Sequence, residues 1–247
     1  MNTSTILLLI LSVFIAAGIS FFQYFYKSKS KSRINKLLSV LRFLSIFGLL
    51  LLLINCILFI RNRKDKDTLY KLVTFYLSVL FIVELLCNVI GILKPNSNFF
   101  LSHYYFNIQF VVLSLFFYQL FNEKFLKQLV VLNFIVVSLI IVCQYIVNPA
   151  LYWKFNTLEI GITSIILIFY CLLYFFRNIK VAHDYFYFCL GLTFYLSSSA
   201  SIFLSGNTEL VFMNEPIYLD IWIFNSLFYI LYQFLIFKEW KVLVKKQ

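Results

Sequence analysis

The stretch Leu72-Val-Thr-Phe-Tyr-Leu-Ser-Val-Leu-Phe-Ile-Val-Glu-Leu-Leu-Cys-Asn-Val-Ile-Gly-Ile-Leu93 decides the fold class of this chain. A helix rises ~1.5 Å per residue and a bilayer's hydrocarbon core is about 30 Å thick, so about 20 apolar residues cross it. This stretch is that long and carries one charged side chain, Glu84. Working outward, similar runs lie at about 5–26, 37–60, 100–121, 126–147, 157–176, 185–204 and 218–237, joined by short polar loops. Eight spans predict an all-α, polytopic transmembrane helix bundle. Residues 1–36 read as an N-terminal transmembrane helix with its basic loop. Residues 37–247 read as a seven-helix transmembrane bundle with a short cytoplasmic C-terminal tail. Residues 1–11 hold no positive charge, so no signal peptide is expected.

Composition points the same way. The 247 residues are 62% hydrophobic, 21% aromatic and 13% charged, against about 25% charged in soluble domains. A net charge of +11 raises the question of nucleic acid. The basic residues, however, flank apolar spans, where anionic headgroups and orientation signals account for them, so no nucleic-acid partner is expected. The expected partner is the lipid bilayer, with a membrane or cytoplasmic protein as a further one. Cys56, Cys87, Cys143, Cys171 and Cys189 have no paired spacing and read as small buried hydrophobes. Pro149 and Pro216 fall in expected connections, where a missing N–H costs little.

Orientation follows from Lys and Arg in alternate loops. With the C-terminus inside, the cytoplasmic face collects Arg61, Arg63, Lys64, Lys66 and Lys71, then Lys124 and Lys127, then Arg177 and Lys180, then Lys238, Lys241, Lys245 and Lys246. Only Lys94 and Lys154 fall outside over the same residues. The expected location is the bacterial cytoplasmic (inner) membrane. The first span breaks the pattern: if 37–60 crosses with Arg61 inside, the basic run Lys27 to Lys36 is forced outside.

At that conflict two resemblances meet. Ser20-Phe-Phe-Gln-Tyr-Phe-Tyr26, Leu41-Arg-Phe-Leu44 and Leu50-Leu-Leu-Leu-Ile-Asn55 resemble the two-helix N-terminal anchor of bacterial membrane proteins that carry a von Willebrand factor A domain. That domain is absent here, so the resemblance brings neither its ligand binding nor its metal site. Residues 57–240, through Lys94-Pro-Asn96 and Leu120-Phe-Asn-Glu-Lys124, resemble small uncharacterised seven-helix bacterial membrane proteins. A fusion of two reading frames near Asn55 would account for both.

Polar side chains inside the membrane are costly and seldom stand without a partner. Glu84 and Asn88 share a helical face at i, i+4, as do His103 and Asn107 near the start of the next span. Glu159 and Asp220 begin two further spans at the same depth. These six are the candidate ligand-binding residues of a polar pocket opening to the periplasm. Each also has a structural reading: Glu84 as hydrogen-bonded glue between helices, Glu159 and Asp220 as first-turn acids favoured by the helix dipole, and His103 as an interfacial residue. Signatures for nucleophilic, phosphate-binding or metal chemistry are missing from the sequence, so no catalytic residue, metal site or cofactor is expected. A sensory or interaction module is the leading reading. A small-molecule or ion transporter is the alternative, and a membrane-embedded enzyme ranks below both.

Overall fold

A computed structural model describes residues 31–64, 66–93, 100–154, 156–177, 184–204 and 216–245. Among them are seven α-helices and no strand: α1 Lys31–Arg61, α2 Thr68–Leu93, α3 Leu101–Leu120, α4 Lys124–Val147, α5 Thr157–Arg177, α6 Phe186–Leu204 and α7 Pro216–Lys245, with a 3-10 turn Pro149–Trp153 after α4. The expected span at 5–26 lies outside the described residues, as does the loop 94–99. Among the described residues, four helices contain segments long and apolar enough to cross a membrane, at Ser39–Arg61, Thr68–Ile90, Lys124–Val147 and Thr157–Arg177. An all-helical fold with such segments is compatible with a multi-pass membrane protein.

Two helices outrun their expected apolar spans, α1 at its N-terminal end and α7 at its C-terminal end. Aliphatic spans set how much helix lies in hydrocarbon, whereas the polar ends extend as helix wherever no proline stops them. Both prolines expected in connections stand instead at helix starts, Pro149 opening the 3-10 turn and Pro216 opening α7. There the missing N–H would have had no partner in any case.

Six helices close into a ring in the order α1, α2, α3, α5, α6, α7 and back to α1, and α4 stands outside it against α3 and α5. The faces follow from the helical repeat. On α1, Phe43, Ile46, Leu50, Ile54, Ile57 and Ile60 point outward while Leu52, Asn55, Cys56 and Phe59 point in. Polar groups are thus gathered inside and aliphatic ones outside, the arrangement a hydrocarbon solvent demands. Cys56, Cys171 and Cys189 are buried as expected, but Cys143 is exposed, because α4 touches the ring with only one side.

Hydroxyls and amides cross the ring interior. Gln109 donates to Tyr76 Oη (2.8 Å), the Tyr232 hydroxyl donates to the same oxygen (3.3 Å), and the Tyr105 and Tyr195 hydroxyls lie 3.0 Å apart. Asn55 Nδ2 donates to the Gln233 backbone carbonyl (2.9 Å) and to its Oε1 (3.0 Å). The residue at the boundary of the two resemblances is therefore fastened to α7, and α1 continues through it without a break.

Helices α6 and α7 approach closely at Gly191, where an added Cβ would stand 2.7 Å from Tyr232 Cδ2 and 3.1 Å from Leu235 Cβ. Gly191→Ala should cost about 1–3 kcal/mol by overpacking, read as a lower unfolding temperature of the purified protein in detergent. An unchanged temperature would mean that the two helices separate at little cost.

Candidate functional site

The sequence ends α4 with Asn148-Pro149, and proline cannot continue a helix. The backbone N–H of Asn148 closes the last turn on the Gln144 carbonyl (2.9 Å), and the 3-10 turn then carries the chain back over the bundle end. Asn156 starts α5 by accepting the Glu159 backbone N–H on Oδ1 (3.3 Å). This is an N-cap with a glutamate three residues on. In a capping box that glutamate folds back on the cap. Here it turns into the bundle instead.

Glu159 is fully buried, and donors from α3, α4 and the start of α5 surround it. From α3, Asn107 Nδ2 donates to Oε1 (2.8 Å) and His103 Nδ1 lies 3.0 Å from Oε2. From α4, the Tyr145 hydroxyl donates to Oε2 (2.5 Å). Asn156 Nδ2 adds a fourth contact to Oε2 (3.3 Å), and a pair of hydrogen bonds with Gln144 holds that amide in place. Below, Thr163 donates to the Glu159 backbone carbonyl (2.7 Å). The 3-10 turn closes the assembly: His103 Nε2 donates to the Tyr152 carbonyl (3.1 Å), and its ring stacks on Tyr152 at 5.9 Å. Phe100, Tyr104 and Trp153 pack around Tyr152 as an aromatic cover.

Charge explains why these groups gather. A carboxylate deep in a low-dielectric interior is tolerated only when it is paired and fully hydrogen-bonded. Its place in the first turn of α5 adds the favourable end of the helix dipole. Glu159 stands in the first turn, after the Asn156 cap, as its structural reading expected, and its side chain is also the centre of a cluster.

Three of the six sequence-predicted residues, His103, Asn107 and Glu159, come together here. Glu84 and Asn88 do not join them. Asn88 donates to the Glu84 backbone carbonyl (2.8 Å) and accepts from Ser45 Oγ (3.2 Å), so it faces α1. Among the described residues, no hydrogen bond links Glu84 or Asn88 to His103 or Asn107. Similar distance from the α2–α3 turn, on which the expected pairing rests, does not fix azimuth about each helix. The Glu84 side chain is half-buried on α2, within the apolar segment Thr68–Ile90. Asp220 lies early in α7, and its side chain is outside the described residues.

Tyr145, Gln144, Tyr152 and Asn156 escaped the sequence reading. Asn156 had a usable signal, the Asn-x-x-Glu start of a helix. The α4 residues had none, because an ordinary Gln-Tyr at a helix end does not announce its partners.

A second polar cluster locks the opposite end of the bundle. Glu239 of α7 accepts the backbone N–H groups of Tyr185 and Tyr187 (2.7 Å each) and Phe188 (3.2 Å), capping α6 from another helix. Tyr185 has φ of 71°, a left-handed conformation that costs a tyrosine about 1 kcal/mol or more. Its N–H bond to Glu239 and its hydroxyl bond to Asp67 (3.3 Å) hold it there. Arg177 pairs with Glu123 nearby.

Replacing Glu159 with Leu should leave the His103, Asn107 and Asn156 donors buried and unpaired, destabilising the protein by about 3–5 kcal/mol. Tyr145→Phe removes one donor and should cost about 1 kcal/mol. Unfolding in detergent or bicelles measures both, and equal effects would show that the carboxylate is not the centre of the cluster.

Compared with known protein families, curated proteins and solved structures, the chain matches none.

Proposed function

We propose that this chain is a sensory or interaction module of the bacterial inner membrane, with eight crossings, a cytoplasmic C-terminus and its polar site at the periplasmic end. The observation that carries the reading is the single Glu159 carboxylate, on which side chains of α3, α4 and the start of α5 converge. A change in the state of that one group alters the pairing of several helices at once, which is what a reporting element needs.

Helix α5 is the lever. It begins at the Glu159 cluster and ends at Arg177 beside Glu123, with the Tyr174 hydroxyl donating to the Asp184 carbonyl (2.9 Å) at the entry to α6. A shift of α5 at one end therefore bears on the Glu239 lock at the other. A partner protein would read that basic face, which carries Lys64, Lys124, Lys127 and Lys241.

The proposed orientation rests on the excess of Lys and Arg on this face. Accessibility labelling should find 61–66, 122–127 and the C-terminal tail cytoplasmic, and 94–99, 153–154 and 205–215 periplasmic. A periplasmic C-terminus would invert the assignment.

Glu159→Gln keeps the shape of the side chain while removing its charge. We expect it to speed hydrogen exchange at the Tyr185, Tyr187 and Phe188 amides in the lipid-reconstituted protein. Unaltered exchange there would defeat the sensory reading.

A transporter is the second reading, and the half-buried Glu84 carboxyl, lying within the apolar segment Thr68–Ile90 of α2, is what favours it. In that case Glu84→Gln would abolish proton- or cation-driven flux in proteoliposomes and leave the Tyr185 to Phe188 amides unchanged.

A further inference from the structure

We propose that His103 and Glu159 together form a proton-binding site, so that the signal read at the periplasmic end is a proton; this rests on the sensory reading of the same cluster. The Tyr152 carbonyl, 3.1 Å from His103 Nε2, can only accept, so Nε2 carries a hydrogen. His103 Nδ1 then faces Glu159 Oε2 at 3.0 Å and the Tyr145 hydroxyl at 2.8 Å.

The Tyr145 hydroxyl has one hydrogen, and at 2.5 Å from Oε2 it gives that hydrogen to the carboxylate. If Nδ1 were bare, its lone pair would point at a carboxylate oxygen with nothing between them. The observed contacts are satisfied only when one further proton lies between imidazole and carboxyl. Asn107, Tyr145 and Asn156 all donate to the carboxylate, which places that proton on the imidazole. The cluster is then an imidazolium–carboxylate pair of zero net charge.

Loss of the proton has a defined consequence. The Tyr145 hydroxyl must choose between Nδ1 and Oε2, since it cannot donate to both. Whichever it takes, the His103–Glu159 contact turns repulsive, and of the two side-chain ties between α3 and α5 only the Asn107 bond to Oε1 remains. The protonated form is therefore the tightly packed one, and raising the pH loosens this end of the bundle.

Other ionisable groups near the pair do not supply the same switch. Tyr104 of α3 and Tyr152 of the 3-10 turn bond each other through their hydroxyls at 3.0 Å. Lys154 is exposed beside the turn, and Tyr145 of α4 is the hydroxyl already counted. Among the described residues, Glu159 is the ionisable side chain that α5 turns toward His103.

The chain has two histidines, His103 and His183, so nitrogen NMR on histidine-labelled protein in nanodiscs resolves the site once His183→Gln removes the other signal. At low pH both His103 nitrogens should carry hydrogen. As the pH rises, Nδ1 alone should lose it, and the unfolding temperature should fall by several degrees over the same range. That fall should vanish in His103→Gln. Should that variant fail to fold, Tyr145→Phe serves: the titration persists, and the temperature falls more steeply because Nδ1 has no fallback donor. A hydrogen held on Nδ1 and never on Nε2, or a titration with no change in unfolding temperature in either protein, would overturn the proposal. A titration with its stability change but with no pH effect on exchange at Tyr185 to Phe188 would leave the proton site standing and sink the sensory reading.

Discussion

A carboxylate at zero exposure can persist only where enough donors are fixed around it, and Glu159 imposes that requirement on three of the seven described α-helices. A lone ionised group in a low-dielectric interior costs several kcal/mol even after relaxation, so each donor is a condition of the fold at that place. The first turn of α3, the last turn of α4, the 3-10 turn and the start of α5 are all arranged to meet it. Proline at 149 lets α4 stop where Tyr145 reaches the carboxylate. The N-cap at Asn156 starts α5 so that the same side chain enters the interior.

Elsewhere the bundle obeys the same rule with neutral groups. Tyrosine hydroxyls and the amides of Gln109, Asn55 and Gln233 pair across the ring, while the outward faces of α1 and α4 are left to aliphatic side chains. At the basic end Glu239 is a second buried carboxylate, but its donors are backbone N–H groups at the start of α6. The two clusters differ in what can change. Backbone donors keep their hydrogens, so Glu239 makes a fixed lock, whereas His103 can lose a proton, so the Glu159 cluster has two states.

Much of the architecture was legible in the order of apolar residues. Long apolar runs mark helices with little ambiguity, and each described helix coincides with an expected run to within a few residues at most ends, although four of them are apolar enough to count as membrane spans. Azimuth was not legible. His103 and Asn107 were correctly placed on one face, yet their partner proved to be Glu159 of α5, which adjoins α3 on one side, and not Glu84 of α2, which adjoins it on the other. That outcome depends on which helices adjoin in the ring, and α3 touches α5 although α4 lies between them in sequence. Tyr145 was invisible for the same reason, and Glu239 because its partners are main-chain atoms with no sequence signature.

A double-mutant cycle between His103 and Glu159 tests the central claim most directly, using His103→Gln and Glu159→Gln singly and together, with unfolding free energy as the readout. If one proton binds the two residues, the losses are strongly non-additive, with a coupling of about 1–3 kcal/mol at low pH that shrinks as the pH rises. Additive losses with the same sum at every pH would contradict the account, because they would mean that His103 and Glu159 are held by their surroundings and not by each other.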